Sequence, residues 1–175
     1  CPEPGPGQIL VQIKAAAIGF PDLLMTQGLY QHKPDLPFTP GTEVSGDVVG
    51  LGQGVDDFAV GQAVVTSKLG GGLAEFGVFD AKTSRPKPDN LSYAQAAATT
   101  SAYLTAYVSL VRRGTLQKDE WVLVHGAAGG VGLAAVDLAH HLGAKVIAVA
   151  SSDEKLEKIK AHVPVEATLN STHGF

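Results

Sequence analysis

The sequence predicts an α/β protein in which a small β domain is followed by the first part of a doubly wound parallel sheet. Residues 8 to about 85 hold short apolar strands separated by glycine turns, whereas the residues after Ser92 show helical spacing of apolar side chains. Between the two regions, the proline-containing segment Arg85–Asn90 breaks both patterns, which indicates a domain junction. We therefore predict one domain at residues 1–90 and a second at residues 91–175.

The first region predicts four short strands. Residues Gln8–Lys14 alternate between polar and apolar side chains, which is the pattern of a half-buried strand. Three further β-branched or apolar runs follow, at Thr42–Gly50, Ala63–Thr66 and Ala74–Phe79. Glycines lie between these runs, as is typical of a small, rolled-up β domain.

The second region opens with a predicted helix from Ser92 to Gly114. Ser92 and Gln95 have the spacing of a capping box, in which the serine hydroxyl accepts from an early N–H and the glutamine bonds back to the first residue. Glycine is common just beyond a helix end, which favours Gly114 as the stop. Thr99 and Thr100 mark a place where this helix could be interrupted.

The most informative segment joins two apolar runs, Trp121–Val124 and Val146–Ala150, through a glycine turn and a helix. Apolar side chains recur along that helix at Val131, Ala135, Leu138 and Leu142. Strand, glycine turn, helix and parallel strand form the βαβ unit of the Rossmann fold, which binds the pyrophosphate of a dinucleotide.

The chemistry of a pyrophosphate site requires glycine at this turn. One glycine allows the tight turn, one lets the backbone approach the phosphates, and one lets the helix pack closely on the strand. The helix start then presents free N–H groups and the positive end of the helix dipole. We predict that the whole turn binds the cofactor through Gly126, Ala127, Ala128, Gly129, Gly130, Val131 and Gly132.

The end of the second strand decides between NADPH and NADH. NAD-binding units usually place a carboxylate there, on the ribose 2′-hydroxyl, whereas this strand is followed by Ser151 and Ser152, with Lys155 one turn later. Two hydroxyls and an ammonium suit a 2′-phosphate, so we predict NADPH. Two alternatives stay open: Ser152 or Asp153 could simply cap the next helix, Glu154–His162, and the nearby Asp153 carboxylate could favour NADH.

Composition limits the classes of function. The chain has 175 residues, 45% hydrophobic and 17% charged, which suits a packed core. A net charge of −4 without a basic run argues against a nucleic-acid partner. The sequence contains no span long and apolar enough for a membrane and no signal-peptide pattern, so we expect a cytoplasmic protein. Cys1 is the single cysteine, which excludes intrachain disulfides and multi-cysteine zinc sites.

Both ends of the sequence suggest a longer protein. Residues 1–7 form a proline-rich lead-in without Met, and a third strand predicted at Val165–Leu169 is followed by six residues. A doubly wound sheet normally continues into a second half. We therefore expect a truncated form.

The motifs in this order resemble the medium-chain dehydrogenase/reductase superfamily and, within it, the zinc-free quinone oxidoreductase branch of ζ-crystallin-like enzymes. The segments that carry the resemblance are Phe20–Leu24, Gly28–Tyr30, Leu36–Gly46, Thr105–Tyr107 and Val124–Gly132. The resemblance covers residues 3 to about 170. It implies a GroES-like β domain followed by a Rossmann domain, an active site in the cleft between them, and a homodimer in the full-length protein.

The resemblance also implies chemistry without zinc. Where zinc-dependent alcohol dehydrogenases of the superfamily carry a catalytic Cys and a Gly-His-Glu motif, this sequence has Gly19 and Gly41–Glu43, and no cysteine lies near Thr99. We therefore expect no zinc. Hydride transfer without a Lewis acid requires an electron-poor acceptor, so we predict reduction of a quinone or an α,β-unsaturated carbonyl by NADPH.

The resemblance implies two residues at the reacting centre. Tyr30 matches a tyrosine that lines the substrate cleft and could donate to the reduced oxygen, and Thr105 matches a threonine beside the nicotinamide. Tyr30 could instead cover the β-domain core, and Thr105 could bond its own helix. Gly19 and Leu24 replace side chains that relatives direct at substrate. Two alternative functions follow: an NADPH-binding protein without turnover, and an enoyl reductase of carrier-bound acyl chains.

Overall fold

The computed structural model describes residues 1–173. The chain divides into two compact units, the first at Cys1–Thr100 and the second starting at Ser101. A helix that runs from Tyr93 to Tyr107 contains this division, whereas the sequence places its domain boundary at residue 90.

The first unit is a five-stranded sheet in the order β4-β1-β2-β3-β5, and all of its pairs are antiparallel. Its strands are β1 Gln8–Ala17, β2 Glu43–Leu51, β3 Ala63–Ser67, β4 Phe76–Asp80 and β5 Arg85–Pro86. The four predicted strands are confirmed. The alternating side chains of these strands bury one apolar cluster formed by Ile9, Val11, Val44, Val48, Val64 and Phe79.

Two short elements of this unit differ from the sequence expectation. Residues Arg85–Pro86 were expected only to break the pattern, but they pair with β3 as an edge strand, a position that tolerates proline. Helix α1, Phe20–Thr26, was not predicted, because seven residues are too few to establish a helical period. It begins after Gly19, with Pro21 in its first turn.

Helix α2, Tyr93–Tyr107, continues as a π-helical turn over Val108–Arg113 and ends at Gly114. The capping box is confirmed, because the Gln95 N–H donates to the Ser92 hydroxyl at 3.2 Å and the Ser92 N–H donates to the Gln95 amide oxygen at 2.9 Å. Thr99 and Thr100 do not interrupt the helix. The Thr99 hydroxyl donates to a carbonyl one turn back at 2.9 Å, which satisfies it inside the helix.

The second unit contains a parallel three-stranded sheet in the order β6-β7-β8. Its strands and helices are β6 Trp121–Val124, α3 Gly130–His141, β7 Lys145–Ala150, α4 Asp153–His162 and β8 Ala167–Asn170. This order confirms the predicted start of a doubly wound sheet. Within residues 1–173, no helix combines the length and apolar character needed to cross a bilayer.

The residues whose spacing predicts α3 are not the ones that the helix buries most deeply. Val131 and Leu142 are 46% and 37% exposed, whereas Ala134, Val136 and Ala139 are buried. The helix is apolar on most of its circumference, so residue spacing alone could not select the face. Small residues on the buried side let α3 lie close to the sheet, whose central strand is itself buried along Ala148–Ala150.

Candidate dinucleotide site

In the turn between β6 and α3, three glycines have three different structural roles. Gly126 has φ +61°, a left-handed conformation that glycine adopts without a steric penalty. A Cβ on Gly132 would lie 2.1 Å from the Gly126 carbonyl oxygen, so only glycine lets α3 start against the turn. A Cβ on Gly130 would have no heavy atom within 4 Å, so the first turn of α3 faces open space.

Hydrogen bonds fix the turn against the sheet. The Ala127 N–H donates to Val149 O on β7 at 2.9 Å, and the Gly129 N–H donates to Gly126 O at 2.9 Å. Ala127 is fully buried, and its N–H is used within the fold. Gly129 occupies the N-cap of α3 and brings no side chain, so the N–H groups of Gly130 and its two successors point out of the helix start. Such a start attracts an anion.

A cation and two hydroxyls follow β7, as predicted. The Lys155 Nζ donates to the Ser151 hydroxyl at 2.9 Å. The Ser152 hydroxyl accepts from the Lys155 N–H at 3.4 Å and so caps α4. Of the two interpretations for Ser152, a phosphate contact or a helix cap, the structure shows the cap. Lys155 and Ser151 are therefore the side chains left to meet a ligand at this strand end.

A cleft of about 280 Å³ brings the turn and the strand end together. Its lining residues come from both predicted halves of the site: Gly126, Ala128, Gly129, Ala150, Ser151 and Lys155. The cleft is therefore bordered by the glycine turn before α3 on one side and by an ammonium on the other. This combination suits a ligand with phosphate groups at two places.

A carboxylate close to this cleft is already engaged. Asp153 Oδ1 accepts from the side-chain amide of Asn170 at 2.8 Å, across 17 residues of sequence. Glu154, the next residue, accepts from Lys158 Nζ at 2.7 Å, and this hydrogen bond lowers the pKa of the Glu154 carboxyl. Sequence reasoning noted Asp153 but missed Asn170, since no local pattern connects them.

The two residues expected at the reacting centre belong to different units. Tyr30 lies half-buried in the loop after α1, in the first unit, and Thr105 is exposed near the end of α2, in the second. Their catalytic roles stay predictions.

A buried carboxylate bonds to the two segments, at Gly19 and at Gly41–Thr42, where the resemblance places the catalytic Cys and the Gly-His-Glu motif of the zinc-dependent enzymes. Asp22 is 3% exposed and accepts from the Gly19 N–H at 2.8 Å, the Gly41 N–H at 3.1 Å and the Thr42 hydroxyl at 2.7 Å. Sequence reasoning missed this network. Among the residues that the structure describes, no group of three or more His, Cys, Asp or Glu side chains could hold a metal ion.

Comparison with known proteins supports the same architecture. Residues 5–89 match the alcohol dehydrogenase GroES-like domain. The chain is 43% identical over 170 residues to a quinone oxidoreductase-like protein 2 homolog of Nematostella vectensis, covering 96% of this chain and 46% of that protein.

Two solved structures extend the comparison. Quinone oxidoreductase from Thermus thermophilus, also determined in complex with NADPH, superposes with a TM-score of 0.85 at 34% identity, over 99% of this chain and 55% of that one. The predicted resemblance to the medium-chain dehydrogenase/reductase superfamily is confirmed. The CurK enoyl reductase has the same fold, with a TM-score of 0.89 at 30% identity over 98% of this chain and 53% of that one.

The chain spans about half the length of the relatives it matches. Its first unit carries the GroES-like sheet, and its second carries the opening βαβ units of the Rossmann sheet. The homodimer and the cytoplasmic location expected from the sequence stay predictions.

Proposed function

We propose that the protein is an NADPH-dependent, zinc-independent oxidoreductase that transfers hydride to a quinone or an α,β-unsaturated carbonyl. The observation that carries this proposal is a cleft lined both by the glycine turn and by Ser151 and Lys155. The named relatives support the reaction class, and the NADPH complex of the Thermus thermophilus enzyme supports the cofactor class.

The residues present fit NADPH. The open first turn of α3, at Gly130, leaves room for a pyrophosphate to reach backbone N–H groups. At the other end of the cleft, the Lys155 ammonium and the Ser151 hydroxyl would hold the 2′-phosphate through charge-assisted hydrogen bonds. When bound, NADPH supplies the hydride for the reduction.

The protein would contribute orientation and a proton. Tyr30 would donate its phenolic proton to the acceptor oxygen, and Thr105 would orient the nicotinamide ring through its hydroxyl. General acid catalysis is worth on the order of a hundredfold or more in rate. We therefore expect Tyr30→Phe to reduce turnover by about that factor while NADPH affinity is unchanged.

A second candidate is reduction of an enoyl group on a carrier-bound acyl chain. The structural similarity to the CurK enoyl reductase favours it, and the same cofactor site would serve both reactions. The acceptor separates the two: a free quinone supports NADPH oxidation in the first case, and only a thioester-linked enoyl chain does so in the second.

The cofactor proposal is tested by calorimetric titration of the chain with NADPH and, separately, NADH. The matched variants are Lys155→Gln and Lys160→Gln, since Lys160 lies on the same helix but pairs with Glu157 at 2.9 Å. A lost hydrogen bond to a charged group costs about 1.5–3 kcal/mol, which corresponds to a tenfold or greater loss of NADPH affinity in Lys155→Gln.

NADH affinity should be nearly equal in the parent and both variants, because NADH lacks the 2′-phosphate. A parent chain that binds neither cofactor, or that prefers NADH, would contradict the proposal. So would an equal loss of NADPH affinity in the Lys160→Gln control.

A further inference from the structure

We propose that Asn170 is a positioning residue for cofactor choice, because its side-chain amide holds the Asp153 carboxylate out of the cleft that would receive the 2′-phosphate. This inference rests on the proposed use of NADPH. Asn170 itself does not line that cleft, so it would act only through Asp153.

Asp153 is the carboxylate nearest in sequence to the end of β7. A carboxylate at this strand end normally accepts from the ribose 2′-hydroxyl and so favours NADH. A carboxylate would also repel the 2′-phosphate of NADPH. A protein that keeps Asp153 here while preferring NADPH must therefore direct the carboxylate elsewhere.

The structure provides the partner that does so. Asn170 is the last residue of β8, and it is paired in register with Ala150, the last residue of β7. Its Nδ2 donates to Asp153 Oδ1 at 2.8 Å. The carboxylate is thereby tied to the neighbouring strand, and Asp153 is not among the residues that line the cleft.

The orientation of the Asn170 amide follows from its other contacts. Its Oδ1 accepts from the Thr172 N–H at 3.0 Å and from the Thr172 hydroxyl at 2.6 Å. A backbone N–H can only donate, so the amide oxygen must face Thr172. The NH₂ group must then face Asp153, which as a carboxylate can only accept.

The two charged side chains that follow β7 are thus separated. The Lys155 ammonium bonds to Ser151, which lines the cleft, whereas the Asp153 carboxylate bonds to Asn170, which belongs to β8. The cation therefore remains at the cleft and the anion is held by the adjacent strand. Loss of the Asn170 donor would free the carboxylate to turn toward the cleft.

The test is a double-mutant cycle on the 175-residue chain with Asn170→Ala, Asp153→Asn and the combination of both. Dissociation constants for NADPH and NADH are measured by calorimetry at one fixed salt concentration. In Asn170→Ala, the freed Asp153 carboxylate would repel the 2′-phosphate across a few ångströms of solvent-exposed site. We expect this repulsion to lower the preference for NADPH over NADH about three- to tenfold. In the Asp153→Asn background, the same substitution should leave the preference unchanged.

A second variant separates cofactor choice from folding. Asn170→Asp keeps an oxygen that can accept from Thr172 but replaces the donor to Asp153 with a second carboxylate, so the turn is retained and the preference should fall at least as far as in Asn170→Ala. An unchanged preference in both variants would overturn the inference, and so would an equal fall in the Asp153→Asn background. A parent chain that prefers NADH or binds neither cofactor would instead overturn the proposed function, and this inference with it.

Discussion

Substitution of Gly132 by alanine is the sharpest test of how the glycine turn works. The new Cβ would lie 2.1 Å from the Gly126 carbonyl oxygen, 2.8 Å from its carbon and 2.9 Å from the Ala127 Cα. Comfortable separations between non-bonded carbons are about 3.5 Å, so the start of α3 must move by roughly 1 Å. All three obstructing atoms are backbone, and no side-chain rotation can relieve the contact.

The expected loss lies at the upper end of the cost of overpacking, about 3 kcal/mol in the free energy of unfolding. Gly130→Ala is the matched control, because its Cβ would have no heavy atom within 4 Å. Alanine is a better helix former than glycine, so this control should be unchanged or up to about 1 kcal/mol more stable. Its methyl group would nonetheless occupy the open space in front of the helix start and weaken NADPH binding.

The assay is urea unfolding followed by the fluorescence of Trp121, the single tryptophan, which lies on β6 and therefore reports on the second unit. Calorimetric titration with NADPH is performed on the same samples. We expect both variants to bind NADPH more weakly but only Gly132→Ala to be destabilised. The reasoning would be refuted by a Gly132→Ala chain with the parent's stability, or by a Gly130→Ala chain with the parent's NADPH affinity.

Two further predictions concern polar groups outside the cleft. Asp22→Ala should lower the free energy of unfolding of the first unit by about 3 kcal/mol, because it leaves buried N–H donors without an acceptor. Thr42→Val removes one hydroxyl and should cost only about 1 kcal/mol. Circular dichroism during urea unfolding measures both losses, and equal losses would contradict this account. Burial, together with the hydrogen bond to Asp137, raises the pKa of the Tyr103 phenol to about 12. The Tyr103 hydrogen bond therefore contributes fully to stability below about pH 10, the pKa of tyrosine in the unfolded chain, and this contribution is lost as the pH rises through about 12. Tyr103→Phe should be less stable than the parent at pH 9, by a difference in unfolding free energy that shrinks toward pH 12. A difference that stays constant with pH would contradict this prediction.

The parts of the fold that the sequence predicted are those defined by local patterns. Period-two alternation located β1, β-branched or apolar runs between glycines located β2, β3 and β4, and the order of apolar run, glycine turn and apolar run located β6, α3 and β7. The capping box at Ser92 and Gln95 is equally local, since both partners lie within one helical turn. In each case the signal lies within a short, continuous stretch of sequence.

The parts that the sequence did not predict depend on distant partners. The Asp22 carboxylate meets Gly41 across 19 residues, and Asn170 meets Asp153 across 17. Neither pair has a spacing that identifies it, because the contact exists only once separate elements have been packed together. The residues that α3 buries could not be predicted for a related reason. Packing against the sheet decides which face is buried, and the sequence of a helix that is apolar on most sides does not distinguish one face from another.

The Asp22 and Asp153 carboxylates both accept hydrogen bonds from donors within the chain, and this restricts what the chain can bind. For a divalent cation to use Asp22, it would have to displace two backbone N–H groups and a hydroxyl. For a ribose hydroxyl to use Asp153, it would have to compete with the Asn170 amide. The groups that this site offers to a ligand can all donate: the N–H groups at the start of α3, the Ser151 hydroxyl and the Lys155 ammonium. Donors of this kind favour an anionic ligand over a cation, and one with phosphate at both ends of the cleft over one with phosphate at a single end.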